Sequence, residues 1–474
     1  MHPKRSTMIL FAKLLSLPAT CLALITLAAV ISSISIAHGQ NLKEVLSITY
    51  ENNPELLAAR ARLRQTDEYV TQAKSGWRPT INVSANFGIT HVNAGSRGVK
   101  TADSSSYPIT GLLTANQPLY TFGRVDSEIN KAKLNVKIAR ADLFEMEQNT
   151  LYNAVVSYMN VIRDAAILDL QINNSKHLNK QLEATKERLK LGEITRTDVA
   201  QSEARQASAD AERTKAESNL TKSRTAFESV IGSAPTILTK PEIPPGLPNT
   251  RKEAVSIALR ENYSISQAKS KEMEAKYVVS HAESELLPKI SLIAQAEQSY
   301  NTRGYDNNTS ALSAEVQLFV PIYQKGTVYS QIRSAKEEVN RLHLLVDATR
   351  RGVIEKATRT YEDYKAAIEQ IKSLRLAVSS SQLALEGIRQ EANIGNRSVL
   401  DILDAEHEQL EAKVALVSAD RNAIVAAFSL LASLGRLSAQ ELALPVKIYD
   451  YNWHYTETVS QYYGTKISQS VSSN

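Results

Sequence analysis

The sequence predicts an α+β membrane protein in which one unit is written twice, each unit joining long helices to a pair of amphipathic strands. Three observations carry this reading. The first is a gapless internal repeat. KEVLSITYENNPELLAARARLRQTDEYVTQAKSGWRPTI, from Lys43, aligns with KEAVSIALRENYSISQAKSKEMEAKYVVSHAESELLPKI, from Lys252, at a constant offset of 209. Lys43, Glu44, Ser47, Ile48, Asn53, Ala59, Val70, Ala73, Pro79 and Ile81 each meet an identical residue. Further on, QPLYTFG ending at Gly123 matches VPIYQKG ending at Gly326, and LGEITRTDVAQSEA (191–204) matches IGNRSVLDILDAEH (394–407), both at offset 203. The second observation is the absence of proline from 119 to 234 and from 322 to 444. The third is strict alternation in the segments between.

The elements follow in chain order. Residues 1–39 read as a secretory signal peptide: a basic start with Lys4, Arg5 and Lys13, an apolar run from Leu14 to Ile34, and small residues Ala37 and Gly39 before a cut near Gln40. A retained transmembrane anchor is the rival, since about 20 apolar residues span a bilayer. Cys21, the only cysteine, lies inside this run, with Thr20 before it and apolar residues after, so lipidation is rejected. The chain beyond it has no disulfide, thiol nucleophile or cysteine metal site. Three of the formal +5 charges lie in this segment, which leaves about +2 and no electrostatic case for nucleic acid. No second apolar run reads as long enough to span a bilayer as a helix, so a membrane span would have to be a β-barrel.

The first repeat covers 40–234: a helix, a strand hairpin over 80–120 and a long helical hairpin over 124–232. Between Arg124 and Ile231 there is one glycine, Gly192, which marks the reversal, because helices tolerate neither glycine nor proline well. Val125, Ile129, Ala132, Val136, Ala139, Leu143 and Met146 repeat at 4-3 spacing, a coiled-coil seam. A helix from Arg124 to Lys190 would extend about 100 Å at ~1.5 Å per residue. A linker over 235–248 holds five of the chain's 14 prolines. The second repeat covers 249–440: a helix, a strand hairpin over 289–323 and a helical hairpin over 326–437, with Gly395 at its reversal and Gly352 and Gly387 making it less clean. A polar, tyrosine-rich tail follows over 441–474, where disorder is expected near the end.

TINVSANFGITHV places Ile81, Val83, Ala85, Phe87 and Ile89 on one face and Asn82, Ser84, Asn86 and Thr90 on the other. KISLIAQAEQ and ALSAEVQLFV alternate in the same way, while YPITGLLTANQPL is weaker, with Leu112 on the wrong side. Two readings fit: soluble hairpins with one buried face, or membrane strands of about ten residues, apolar outside and polar inside. Trp77, Tyr120, Phe319 and Tyr323 near the strand ends suit either an interfacial girdle or core packing. Four strands cannot close a membrane barrel, which starts at about eight. Two copies would supply eight strands around a filled interior. Three would supply twelve, with a lumen. Membrane strands, helices of about 100 Å and a secretion signal together predict a trimeric duct.

The duplication, the two hairpins, the proline-bounded strand ends and the two Gly-then-Asp reversals together resemble the TolC family of outer-membrane channel proteins over essentially the whole mature chain. The resemblance implies a homotrimer with a shared 12-stranded β-barrel in the outer-membrane lipid and an α-helical barrel crossing the periplasm. It implies an exit duct for efflux pumps or type I secretion, working with a periplasmic adaptor (membrane fusion) protein and an inner-membrane transporter. With no catalytic or ligand constellation in the residues, no cofactor and no enzyme activity are expected. The resemblance also assigns residues. The family's DxxD gate ring falls on Asp401 and Asp404, so three copies would gather six carboxylates at one constriction, favouring cations. Arg397 matches a linking arginine, with Thr197 and Asp198 as its partners. Leu191, Gly192, Ile394 and Gly395 match adaptor-docking tips, although Glu193 replaces the usual apolar residue. A gate tyrosine of the family is Ala392 here.

Asp401 carries a second reading. Ser398-x-x-Asp401, like Thr195-x-x-Asp198, is a capping-box pattern. Capping does not explain Asp404, whose counterpart in the first repeat is Gln201. The eight histidines show no metal-ligand spacing, and no nucleophile, phosphate loop or catalytic set is present. His407, three residues from Asp404, reads as packed or solvated. The rival to the duct is a periplasmic coiled-coil adaptor or structural protein, which would have the helices but not two symmetric strand hairpins.

Overall fold

The computed structural model describes residues 40–96, 99–302, 306–394 and 396–465. Residues 1–39, where a signal peptide is expected, lie outside them, as do Gly395 and the last nine residues. Helices α1 (Leu42–Asn52) and α2 (Pro54–Lys74) lead through a short 3-10 turn (Ser75–Trp77) into strands β1 (Thr80–Phe87), β2 (Thr90–Ser96), β3 (Val99–Ser106) and β4 (Ile109–Tyr120). Helices α3 (Arg124–Lys190) and α4 (Arg196–Ile231) complete the first repeat. The second runs α5 (Arg251–Glu261), α6 (Tyr263–Ser284), β5 (Lys289–Tyr300), β6 (Asn308–Phe319), α7 (Thr327–Asn393) and α8 (Val399–Leu434). A last short helix, α9, spans Trp453–Thr458.

The repeat is exact in length where it matters for shape. Both α3 and α7 have 67 residues, and both α4 and α8 have 36. Each pair is delimited by the same devices. Gly123 and Gly326 start the long helices in the left-handed region, where a side chain would be strained. Gly232 and Gly435 end the return helices in the same conformation. Gly352 and Gly387 do not interrupt α7: no atom lies within 4 Å of where their Cβ would stand, and the helix passes through them.

One asparagine per repeat joins two helices end to end. The Asn53 Oδ1 accepts from the Glu55 and Leu56 amides at the start of α2, while its Nδ2 donates to the Val230 carbonyl at the end of α4. Asn262 does the same, accepting from the Ser264 amide and donating to the Ser433 carbonyl. Each side chain satisfies orphan groups of two helix termini at once. Helix α4 thereby stacks beneath α2, and α8 beneath α6, so four helical columns run the length of the molecule.

Packing places the columns in a row. Helix α7 lies on α8, α8 on α3 and α3 on α4; nearer the sheet, α7 lies on α6, α6 on α3 and α3 on α2. The first and last members of the row make no substantial contact with each other. One chain is therefore an arc with two open edges. The coiled-coil seam is where the spacing expects it, with Val125, Ala132, Val136 and Leu143 buried. The main core lies where α1, α2, α3 and the ends of α4 and α8 meet, around Leu46, Leu56, Leu151, Tyr158, Phe227 and Ile231. The proline-rich linker lies along it: the buried Tyr158 hydroxyl stands within hydrogen-bond distance of both the Gln40 and Thr239 carbonyls.

The main sheet is antiparallel with order β1-β4-β5-β6. Its register builds one apolar face. Val83, Leu113, Ala296 and Leu312 form one row, and Ile81, Ala115, Ala294 and Ala314 the next. The opposite face carries Asn82, Thr114, Gln295 and Ser313 in one row, and Ser84, Leu112, Glu297 and Ala311 in another. Leu112 thus sits on the polar face, as its sequence phase says.

Four expectations are corrected. TINVSANFGITHV is not one strand: β1 stops at Phe87, where the Gly88 amide turns to the Pro108 carbonyl. Nor is 80–120 a single strand hairpin: the mostly polar stretch between β1 and β4 forms a second hairpin, β2–β3, whose Thr, Asn and Ser residues pair through backbone. Residues 441–465 are not a loose polar tail, since Leu442, Leu444, Val446, Tyr449, Tyr451, Tyr455 and Val459 pack onto the main core. Helix α8 also proves long and apolar enough to cross a bilayer by composition. It is a core helix, with Ala423, Phe428, Leu430, Leu431 and Leu434 buried against its neighbours.

Candidate gate and membrane surface

The two reversals, α3–α4 and α7–α8, lie at the end of the helical row away from the sheet. Capping explains their local geometry. The Thr195 amide and hydroxyl donate to the Asp198 carboxylate at 2.9 and 2.8 Å, and the Asp198 amide donates back to the Thr195 hydroxyl. Ser398 and Asp401 repeat this arrangement at 2.9 and 2.8 Å. The capping N–H and hydroxyl hold both carboxyls below the usual carboxylate range, so both stay charged into acid. Asp401 is therefore a helix cap in this structure, and a gate role would be additional to that.

Asp404 is different. It caps nothing and reaches across the repeats: the Arg205 guanidinium on α4 donates to its Oδ1 at 2.5 Å. Two residues on, the buried Glu406 carboxylate gathers two partners on one oxygen. The His177 Nε2 from α3 lies at 2.9 Å and the Arg389 guanidinium from α7 at 2.7 Å. Its second oxygen is buried without a hydrogen-bond partner. Glu406 thereby clamps α8 to helices of both repeats just behind the tip. A groove of ≈ 560 Å³ runs beside the clamp between α3, α4 and α8, lined by Arg205, Glu212, Leu403, Glu406, His407 and Glu411.

Arg397 does not meet Thr197 or Asp198 within the chain. Its guanidinium donates to Glu391 at 2.8 Å. Leu191 and Ile394 are exposed apolar tips, at 75% and 73%. Gly192 turns the chain with φ of 75°, Glu193 pairs with Arg188 at 3.0 Å, and Gly395 is outside the described residues. Sequence reading missed Arg205, His177, Arg389 and Glu406. The charge of Glu406 on an otherwise apolar helix phase was a signal, because a carboxylate is rarely buried unless paired. Among the described residues no group of three or more His, Cys, Asp or Glu is placed to hold a metal.

At the other end, β1 and β6 each have one unpaired edge. Every residue of both strands is exposed, including Val83, Phe87, Leu312, Val316 and Leu318. An apolar face with open hydrogen-bonding edges fits neither water nor a lone chain in lipid.

Comparison with known proteins agrees with this geometry. The family model described as outer membrane efflux protein matches residues 45–233 and 254–436. The chain is 33% identical over 449 residues to the outer membrane efflux protein BepC of Brucella suis biovar 1, covering 93% of this chain and 96% of that one. It is 26% identical to the outer membrane protein TolC of Vibrio cholerae, covering 86% and 93%. Its fold superposes on the Campylobacter jejuni CmeC outer membrane channel with a TM-score of 0.74 at 16% identity, covering 88% and 89%. The chain belongs to the outer membrane efflux protein family and is an outer-membrane exit duct of Gram-negative type that extends into the periplasm.

Proposed function

We propose that three copies of this chain form a passive duct, with the four-stranded sheets joined edge to edge as a 12-stranded barrel and the helical arcs joined as a tube beneath it. The observation that carries the reading is the pair of unpaired edges, β1 and β6, flanking a sheet whose apolar face is continuous in register. Joining β6 of one copy to β1 of the next leaves no backbone group unsatisfied in lipid. It puts the face carrying Asn82, Thr114, Gln295 and Ser313 toward the lumen. The open helical edges, α4 and α7, meet in the same operation.

In this reading the tips, Leu191, Gly192, Ile394 and Gly395, dock a periplasmic adaptor that links the duct to an inner-membrane transporter. Asp401 and Asp404 from three copies ring the constriction. Arg397 of one copy reaches Thr197 and Asp198 of its neighbour when Glu391 releases it. No residue is assigned a catalytic role and no cofactor is needed; the chain shapes and gates a passage. Single-channel recording in a planar bilayer tests the gate. The wild type is expected to give small, cation-selective steps blocked by divalent ions, and Asp401→Ala/Asp404→Ala is expected to lose that block. An unchanged double variant would reduce both aspartates to structural roles.

A further inference from the structure

The C-terminal segment reaches a place near the sheet that its packing does not explain. From Ala439 onward it follows a fixed track up α3 and α2. The Ala439 amide donates to the buried Glu147 carboxylate at 2.7 Å, and the Tyr449 amide to the Tyr50 hydroxyl at 3.0 Å. The buried His454 ring pairs with the buried Asp67 at 3.1 Å, and the Thr71 hydroxyl donates to the Thr458 carbonyl at 2.9 Å. Arg78 then donates to the Gln461 carbonyl at 3.4 Å. The contacts advance together, 454 with 67, 458 with 71 and 461 with 78, so the segment climbs toward the sheet.

Burial stops at the top of the track. Tyr462 is 74% exposed and Tyr463 is 94% exposed. The Arg78 guanidinium lies over the Tyr462 ring, 4.2 Å from its centroid. Arg78 stands two residues before β1, whose Ile81 belongs to the apolar face. The same rim of the sheet carries the exposed Tyr120, Phe319 and Tyr323. At ~3.3 Å per extended residue, Arg78 lies within about 10 Å of the first apolar row.

We propose that Tyr462 and Tyr463, with Arg78, form a lipid anchor that fixes the C-terminal segment to the periplasmic headgroup layer of the outer membrane. Tyrosine suits that layer because its ring is apolar and its hydroxyl stays wet. The arginine fork matches a lipid phosphate. The commitment to lipid rests on continuity: the pair extends the aromatic rim of the membrane-facing sheet. The anchor ties the duct's midsection, through the His454–Asp67 contact, to the depth of the barrel in the bilayer.

The test uses the full chain reconstituted in phosphatidylethanolamine and phosphatidylglycerol vesicles. Cys21 is the only cysteine, so Thr465→Cys in a Cys21→Ser background accepts a single environment-sensitive fluorophore and leaves both tyrosines intact. Quenching by a headgroup-level nitroxide lipid should exceed that of a Leu191→Cys control at the tip by about twofold or more. It should fall to the control level when Tyr462→Ser/Tyr463→Ser is added. Quenching at 465 no greater than at 191 would overturn the proposal. So would quenching that survives loss of both tyrosines.

Discussion

Removing the Glu406 carboxylate should loosen the tip more than removing Asp404, although only Asp404 belongs to the proposed ring. Glu406 accepts from His177 and Arg389 while itself 9% exposed. A hydrogen bond to a charged group contributes about 1.5–3 kcal/mol when well shielded. Both partners are about half exposed, and solvent screening reduces each contact toward about 1 kcal/mol. The clamp therefore contributes about 2 kcal/mol per copy, a factor of ~30 in the local closed-to-open ratio. The Arg205–Asp404 pair is exposed on both sides, at 38% and 58%, so it contributes at most about 1 kcal/mol. Glu406→Ala should raise mean single-channel conductance and open time, with Asp404→Asn changing mainly ion selectivity. Arg389→Ala should give a partial Glu406→Ala phenotype. A melting curve establishes that the variants remain assembled. Wild-type conductance from an assembled Glu406→Ala channel would refute the clamp.

Three further outcomes follow from the helical columns. Asn53→Ala and Asn262→Ala each remove a helix N-cap and strand a carbonyl, so each should cost about 2 kcal/mol in denaturant unfolding; a loss under about 0.5 kcal/mol would mean the columns hold by packing alone. Gly435→Ala should destabilise far more than Gly232→Ala. Both have φ of 87°, which costs about 1 kcal/mol for a side chain, but only at 435 would the new Cβ stand 2.6 Å from the Glu261 carbonyl oxygen. Equal melting temperatures for the two variants would contradict this. The third outcome is an acid limb. Hydrogen bonds from Arg436, and then Arg260, draw the Glu261 carboxyl down to about 2. Folding then binds fewer protons than unfolding, so the pair's contribution is complete above about 4.5 and is lost as pH falls toward about 2. Glu261→Gln should flatten melting temperature against pH in that window, and an unchanged slope would assign the acid limb to other carboxylates.

The parts of the fold written as local chemistry were legible. Glycine and proline spacing placed the long helices and their reversals, and period-two alternation placed β1, β5 and β6 and gave the phase of Leu112 on the weaker β4. Capping boxes at Thr195 and Ser398 were visible because both partners lie within one turn. What depended on distant partners was not. The hairpin β2–β3 is mostly polar, so its pairing rests on backbone groups that every residue has. The C-terminal segment reads as polar because tyrosine counts as half apolar, yet Tyr449, Tyr451 and Tyr455 pack their rings and use Tyr50, Arg60 and Arg140 as partners. At the reversals, Asp404 stood out in the sequence as a break in repeat symmetry. Its partner Arg205, and the partners His177 and Arg389 of Glu406, come from other helices and carry no spacing signal.

The central claim is that the open edges of one chain are closed by further copies of itself. Electron cryomicroscopy of the detergent-purified protein tests it most directly. The account predicts a three-fold ring of 12 strands, β6 of each copy paired with β1 of the next, above a helical tube of about 100 Å. A closed assembly of two copies, or β1 and β6 left unpaired in the micelle, would contradict it.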